Sequence, residues 1–91
     1  MIRRSRLFGT KTRVTFSLTA DRPEGAVSVV GTFNDWTPGC HQLVQRRDGS
    51  RSVSVNLPAG EHRFRYLATG RLWFDDHTAD AVDNSGGIIR L

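Results

Sequence analysis

Ninety-one residues are enough for one domain with one core, and too few for a polymer-processing catalytic domain beside it. With 37% apolar and 24% charged residues the chain reads as an ordinary globular domain, and no apolar run approaches the ~18 residues of a membrane-spanning helix. The net charge of +4 rests on 13 basic residues, all arginine except Lys11. They are dispersed along the chain, which argues against a nucleic-acid surface.

Residues 1–11 carry Arg3, Arg4, Arg6 and Lys11 with no alternating pattern, and read as a flexible basic tail ahead of a single domain over residues 12–91. The twin arginines lack the apolar stretch that an export signal needs, and Cys40 has no second cysteine to pair with. Both features fit a cytoplasmic protein in a reducing compartment.

Period-two alternation predicts a first strand at 12–19, with Val14, Phe16 and Leu18 on one face and Arg13, Thr15 and Ser17 on the other. Pro23 and Gly25 mark a loop over 20–25. The next strand, 26–33, lines up Val27, Val29, Gly31 and Phe33. Asn34-Asp35 then turns the chain and Thr37-Pro38-Gly39 ends the segment, so Trp36 is delivered to a rim rather than to the core. Residues 41–47 form a weaker strand with Leu43 buried, and Asp48-Gly49 predicts a hairpin into 51–57, where Val53, Val55 and Leu57 face inward. Pro58-Ala59-Gly60 turns into a strand at 61–68, with His62, Phe64, Tyr66 and Ala68 on one face and Arg63, Arg65 and Leu67 on the other. After Thr69-Gly70-Arg71, residues 72–74 are a short strand in which only one of Trp73 and Phe74 can point outward. Residues 75–87 are polar and irregular, and 88–91 close the domain as a last strand. No segment has helical periodicity. About seven short strands predict an all-β antiparallel sandwich.

Gly31-Thr32-Phe33-Asn34-Asp35-Trp36 resembles the G-x-F-N-x-W signature of the glycogen-binding domains in AMP-activated kinase β subunits, a module type that also precedes the catalytic domains of branching enzymes, isoamylases and pullulanases. Two further stretches, 57–66 and 70–76, resemble later segments of the same family, in the same order. The resemblance implies an immunoglobulin-like "early set" sandwich and non-catalytic binding of glycogen or a related α-1,4-glucan. By the family pattern, Trp36 and Trp73 match the tryptophans that stack on sugar rings, which leaves Phe74 pointing the other way. Indoles suit this because the C–H face of a pyranose packs flat on the ring. Arg65 matches the family's basic residue that donates to sugar hydroxyls. On the residues alone, Arg65 reads equally well as a cross-strand partner for an acidic neighbour. The chain departs from the pattern at 81–87, which is shorter, with Gly87 where the family has asparagine and Asn84 the nearest substitute.

Asp75, Asp76, His77, Asp80 and Asp83 match no zinc or calcium-loop spacing. Glycosidase chemistry needs two carboxyls flanking a cleft, whereas a sandwich this small offers a face. No metal, cofactor or catalysis is therefore expected. The alternative is a protein-interaction module that keeps the fold, has lost sugar binding and associates with a separate glucan-metabolising enzyme. Exposed indoles favour the first reading and buried ones the second.

Overall fold

The computed structural model describes residues 1–7, 9, 11–19 and 25–91. Nine strands are formed among these residues: β1 Ile2–Arg6, β2 Lys11–Leu18, β3 Val27–Gly31, β4 Val44–Gln45, β5 Arg51–Pro58, β6 Glu61–Ala68, β7 Leu72–Phe74, β8 Ala81–Asp83 and β9 Gly86–Arg90. They make two sheets with antiparallel pairing throughout. One runs β1-β2-β5-β4. The other runs β3-β6-β9-β8, with β7 also paired to β6. β9 pairs with residues 61–64 of β6 and β7 with residues 66–68, so the two lie end to end along one edge of β6. The all-β sandwich expected from the sequence is the observed architecture.

The inner faces follow from the alternation. Val14 and Phe16 of β2 and Leu57 of β5 meet Val27 and Val29 of β3, Phe64, Tyr66 and Ala68 of β6, and Ile89 of β9. At the centre, Phe16 lies 5.0 Å from Phe64 and 6.4 Å from Tyr66, ring centroid to centroid. Leu43 is buried as expected, while Val53 and Val55 are only half-buried against the core. Arg51 takes an inward position at the end of β5, and its guanidinium donates to the carbonyls of Thr19 and Gly25.

Four expectations need correction. Within residues 1–11, expected as a flexible tail, β1 pairs with β2 along its whole length, from Ile2↔Phe16 to Arg6↔Thr12. Long-range contacts invisible to local pattern hold it there: Arg4 reaches Asp80 at 2.8 Å and the Met1 ammonium reaches Asp76 at 2.8 Å. The strand expected over 26–33 stops at Gly31, and Thr32–Asn34 form a 3-10 turn. The segment 41–47 pairs only briefly with β5, because its first half pairs instead with β3, through Leu43 N to Val27 O and Val29 N to His41 O. Part of the stretch expected to be irregular, 81–87, is the β8–β9 hairpin, whose last strand starts at Gly86. The loop expected at 20–25 lies outside the described residues apart from Gly25.

Candidate functional site

Gly31, the last residue of β3, has no room for a side chain. A Cβ there would collide with the carbonyl oxygen of Arg63 on β6 and come within 2.8 Å of the Phe33 ring. The turn that follows is closed by the side chain of Asn34. Its Oδ1 accepts from Gly31 N (2.9 Å) and its Nδ2 donates to Val29 O (3.0 Å). His41 Nδ1 lies 2.9 Å from the same Nδ2. Trp36 N donates to Gly31 O (2.9 Å) and Thr37 N to Asn34 O (3.1 Å). The tightness of this return puts Asp35 and Trp36 in the left-handed region, at φ 53° and 57°. That conformation costs an L-residue roughly 1–2 kcal/mol, so the surrounding bonds must over-determine it. Phe33 turns inward, 6.0 Å from Phe16, while Trp36 is held at the rim, 37% exposed.

Trp73 is placed by β7. The ladder sets Phe74 opposite Tyr66 and Trp73 opposite Leu67. Phe74 goes inward and stacks on Tyr66, which leaves Trp73 on the outer face of the sheet, 45% exposed. Arg65 shares that face, two positions from Leu67 along β6 and opposite Val30. Val30 and Ile88, which faces the same way opposite Arg63, are buried, and Leu67 is half-buried. The outer face therefore has an apolar floor.

Arg65 is not a loose side chain. Its Nε donates to Asp75 Oδ1 (3.1 Å) and its Nη2 to the carbonyl of Asn84 (3.0 Å). It crosses Gly86 to do so: a Cβ on Gly86 would stand 2.8 Å from Arg65 Cγ. Asn84 and Ser85 form the tip of the β8–β9 hairpin, braced by Ser85 N to Asp83 Oδ1 (2.8 Å) and by Arg63 Nη1, 2.9 Å from both oxygens of Asp83. The Arg63 guanidinium, aided by Ser85 N–H, holds the Asp83 carboxyl below the usual carboxylate range.

Of the four residues singled out from sequence, Arg65 is bonded directly to the Asn84 carbonyl and shares the outer face with Trp73, while Asp75, two residues after Trp73, holds the Arg65 Nε. Trp36 leaves the sheet from β3, on the other flank of β6, so the strand that carries Arg65 runs between the two tryptophan-bearing segments. Asn84 takes part through its backbone carbonyl. Sequence reasoning missed the bonds by which Asn34 closes the turn before Trp36 and Asp75 holds Arg65. The place of Asn34, two residues before Trp36, is the signal in the sequence for its role in closing the turn.

The acidic stretch after β7 latches the structure. Asp75 holds Arg65, Asp80 accepts from Arg4 and from Arg90 N, and Asp76, its side chain 3% exposed, accepts from Tyr66, Thr78 and the Met1 ammonium. Among the described residues no three of His, Cys, Asp and Glu are grouped so as to hold a metal ion, and no helix is long and apolar enough to cross a membrane.

The family model described as "Glycogen recognition site of AMP-activated protein kinase" matches residues 12–91. The chain is also 33% identical, over 64 residues, to SNF1 protein kinase subunit beta-3 of Saccharomyces cerevisiae. That match covers 69% of this chain and 15% of the yeast protein. The chain belongs to the glycogen-recognition family.

Proposed function

We propose that the outer face of the β3-β6-β9-β8 sheet binds glycogen or a related α-1,4-glucan without catalysis. The observation that carries this reading is the pair of half-exposed indoles, Trp36 and Trp73, on either flank of the strand that bears Arg65. Glucose rings would stack on the indoles, because stacking removes C–H surface and the indole face from water together. Sugar hydroxyls gain little net energy by exchanging water for protein partners, so the rings supply affinity and the polar groups supply orientation. Arg65 suits the polar role. Two of its five N–H groups are engaged by Asp75 and Asn84 O, which fixes the guanidinium plane and leaves donors to present to vicinal hydroxyls. The Asn84 side chain, at the hairpin tip beside it, is a further hydroxyl partner.

Co-sedimentation with glycogen, against cellulose and buffer controls, tests the proposal. Retention on glycogen alone supports it. Equal retention on cellulose, or none on either, overturns it and favours a partner-binding role for the same fold.

A further inference from the structure

We infer that His41 is a positioning residue for Trp36, and that it does this only as neutral imidazole, so that sugar binding at this face weakens on acidification. The inference rests on the glucan reading for its functional consequence, and on hydrogen-bond chemistry for its mechanism.

The argument starts at Gly31, whose N–H can only donate. Asn34 Oδ1 must therefore face it, which settles the orientation of the Asn34 amide. The Nδ2 group is then turned to two other atoms, Val29 O and His41 Nδ1. Since Nδ2 has only hydrogens to offer, Nδ1 must be an acceptor. That requires an unprotonated Nδ1, with the ring proton on Nε2. An imidazolium carries N–H on both nitrogens and would set one against the Asn34 amide.

His41 cannot easily turn away from this clash. Its ring lies edge-on to Phe33, with centroids 5.8 Å apart, and its own carbonyl accepts from Val29 N. The charged or titratable groups around it are Asp35 on the turn, Cys40 preceding it in the chain, and Arg63 on β6. Among the described residues none of these is hydrogen-bonded or ion-paired to the ring, and Arg63 is engaged by Asp83. The consequence falls on Trp36, because the same Asn34 fixes the turn in which Asp35 and Trp36 are left-handed. Protonation of His41 removes one of the three side-chain bonds of Asn34 that hold this conformation, and the indole platform loosens.

The test compares the wild-type chain with His41→Asn, whose side-chain oxygen places a non-titrating acceptor near the Nδ1 position. Maltoheptaose affinity is measured from about pH 7.5 to about 5.5. Wild-type affinity falls about five-fold, the equilibrium equivalent of one hydrogen bond, while His41→Asn keeps its neutral-pH affinity throughout. Wild-type binding that is constant over this range overturns the inference and leaves the glucan reading standing. Absence of binding at every pH sinks the glucan reading, and the positioning role is then decided by fluorescence in a Trp73→Phe background, where Trp36 is the remaining tryptophan. Emission that titrates in that background and becomes flat on adding His41→Asn sustains the role. Emission that is flat in both, or that titrates identically in both through His62 or His77, overturns it. Should His41→Asn fail to fold, nitrogen NMR of the wild-type imidazole decides: a protonated Nδ1 at neutral pH overturns the inference, and an Nε2–H tautomer sustains it.

Discussion

Phe74 stacks on Tyr66, with ring centroids 5.1 Å apart and planes inclined by 27°. This one inward contact determines where its neighbour goes. With Phe74 committed to the core, strand alternation forces Trp73 to the outer face, over Leu67 and on the side of Arg65.

The indoles should dominate binding. Trp36→Ala and Trp73→Ala are each expected to weaken maltoheptaose binding by about 1–3 kcal/mol, the scale of a contact anchor. Arg65→Ala should cost about 0.5–1.5 kcal/mol, the scale of a net hydrogen bond. Calorimetric titration reads all three. An Arg65 effect larger than both tryptophan effects would contradict the stacking account.

Gly31→Ala should destabilise the fold by about 1–3 kcal/mol, as overpacking does, because the obstacle is the Arg63 carbonyl on a paired strand and not a flexible side-chain tip. Urea unfolding measures it. An unchanged midpoint would show that β3 and β6 separate easily at this end.

Phe64→Ala should cost about 3–5 kcal/mol. The ring is fully buried between Phe16 and Tyr66 and lies beneath Gly87, where a Cβ would meet it at 2.9 Å. A loss under about 1 kcal/mol in denaturant titration would mean that the core refills the space.

Deleting residues 1–7 should lower the melting temperature by more than about 4 °C, since about 1 kcal/mol corresponds to roughly 4–8 °C in a domain of this size. The deletion removes the β1–β2 ladder, the Arg4–Asp80 pair and the Met1–Asp76 contact. A shift within about 2 °C, which the tail reading implied, would show that β1 adds nothing to stability.

Asp76 should make stability acid-sensitive. Burial alone pushes its carboxyl up. Bonds from the Met1 ammonium, Thr78 and Tyr66 outweigh that and hold it at about 2, below the ordinary 3.8. A carboxyl lowered on folding contributes stability that is complete above the unfolded value and disappears as pH falls through the folded one. The contribution, on the order of 2 kcal/mol, should therefore be lost between about pH 4 and about pH 2. Thermal unfolding of wild type and Asp76→Asn over that range checks it: the variant should be less stable at neutral pH and flatter in acid. The same pairing buries the Tyr66 hydroxyl beside a carboxylate, which pushes the phenol pKa upward, so Tyr66 should not ionise while the fold persists.

Alternation in the sequence was enough to specify the sandwich and its centre. Val14, Phe16, Val29, Phe64 and Tyr66 each sit on the apolar side of a period-two run, and burying those sides against each other leaves one arrangement of layers. The rim position of Trp36 was legible for a related reason, since the turn residues Asn34 and Asp35 come between it and the inward-turned Phe33. Other features depend on residues far apart in the chain, and no local window contains them. β1 is braced by Arg4 meeting Asp80 and the Met1 ammonium meeting Asp76, 76 and 75 residues away. The β8–β9 hairpin exists because Gly86 and Gly87 let it lie against Arg65 and Phe64. The choice between Trp73 and Phe74 was made by Tyr66. Arg65, equally readable from sequence as an ion-pair partner or as an outward donor, became oriented only when folding brought Asp75 and the Asn84 carbonyl to its two ends. Pattern depends on which atoms avoid water, and the sequence carries that directly. The aim of a polar side chain depends on which partners the packed layers bring within bonding distance, and only the tertiary structure decides that.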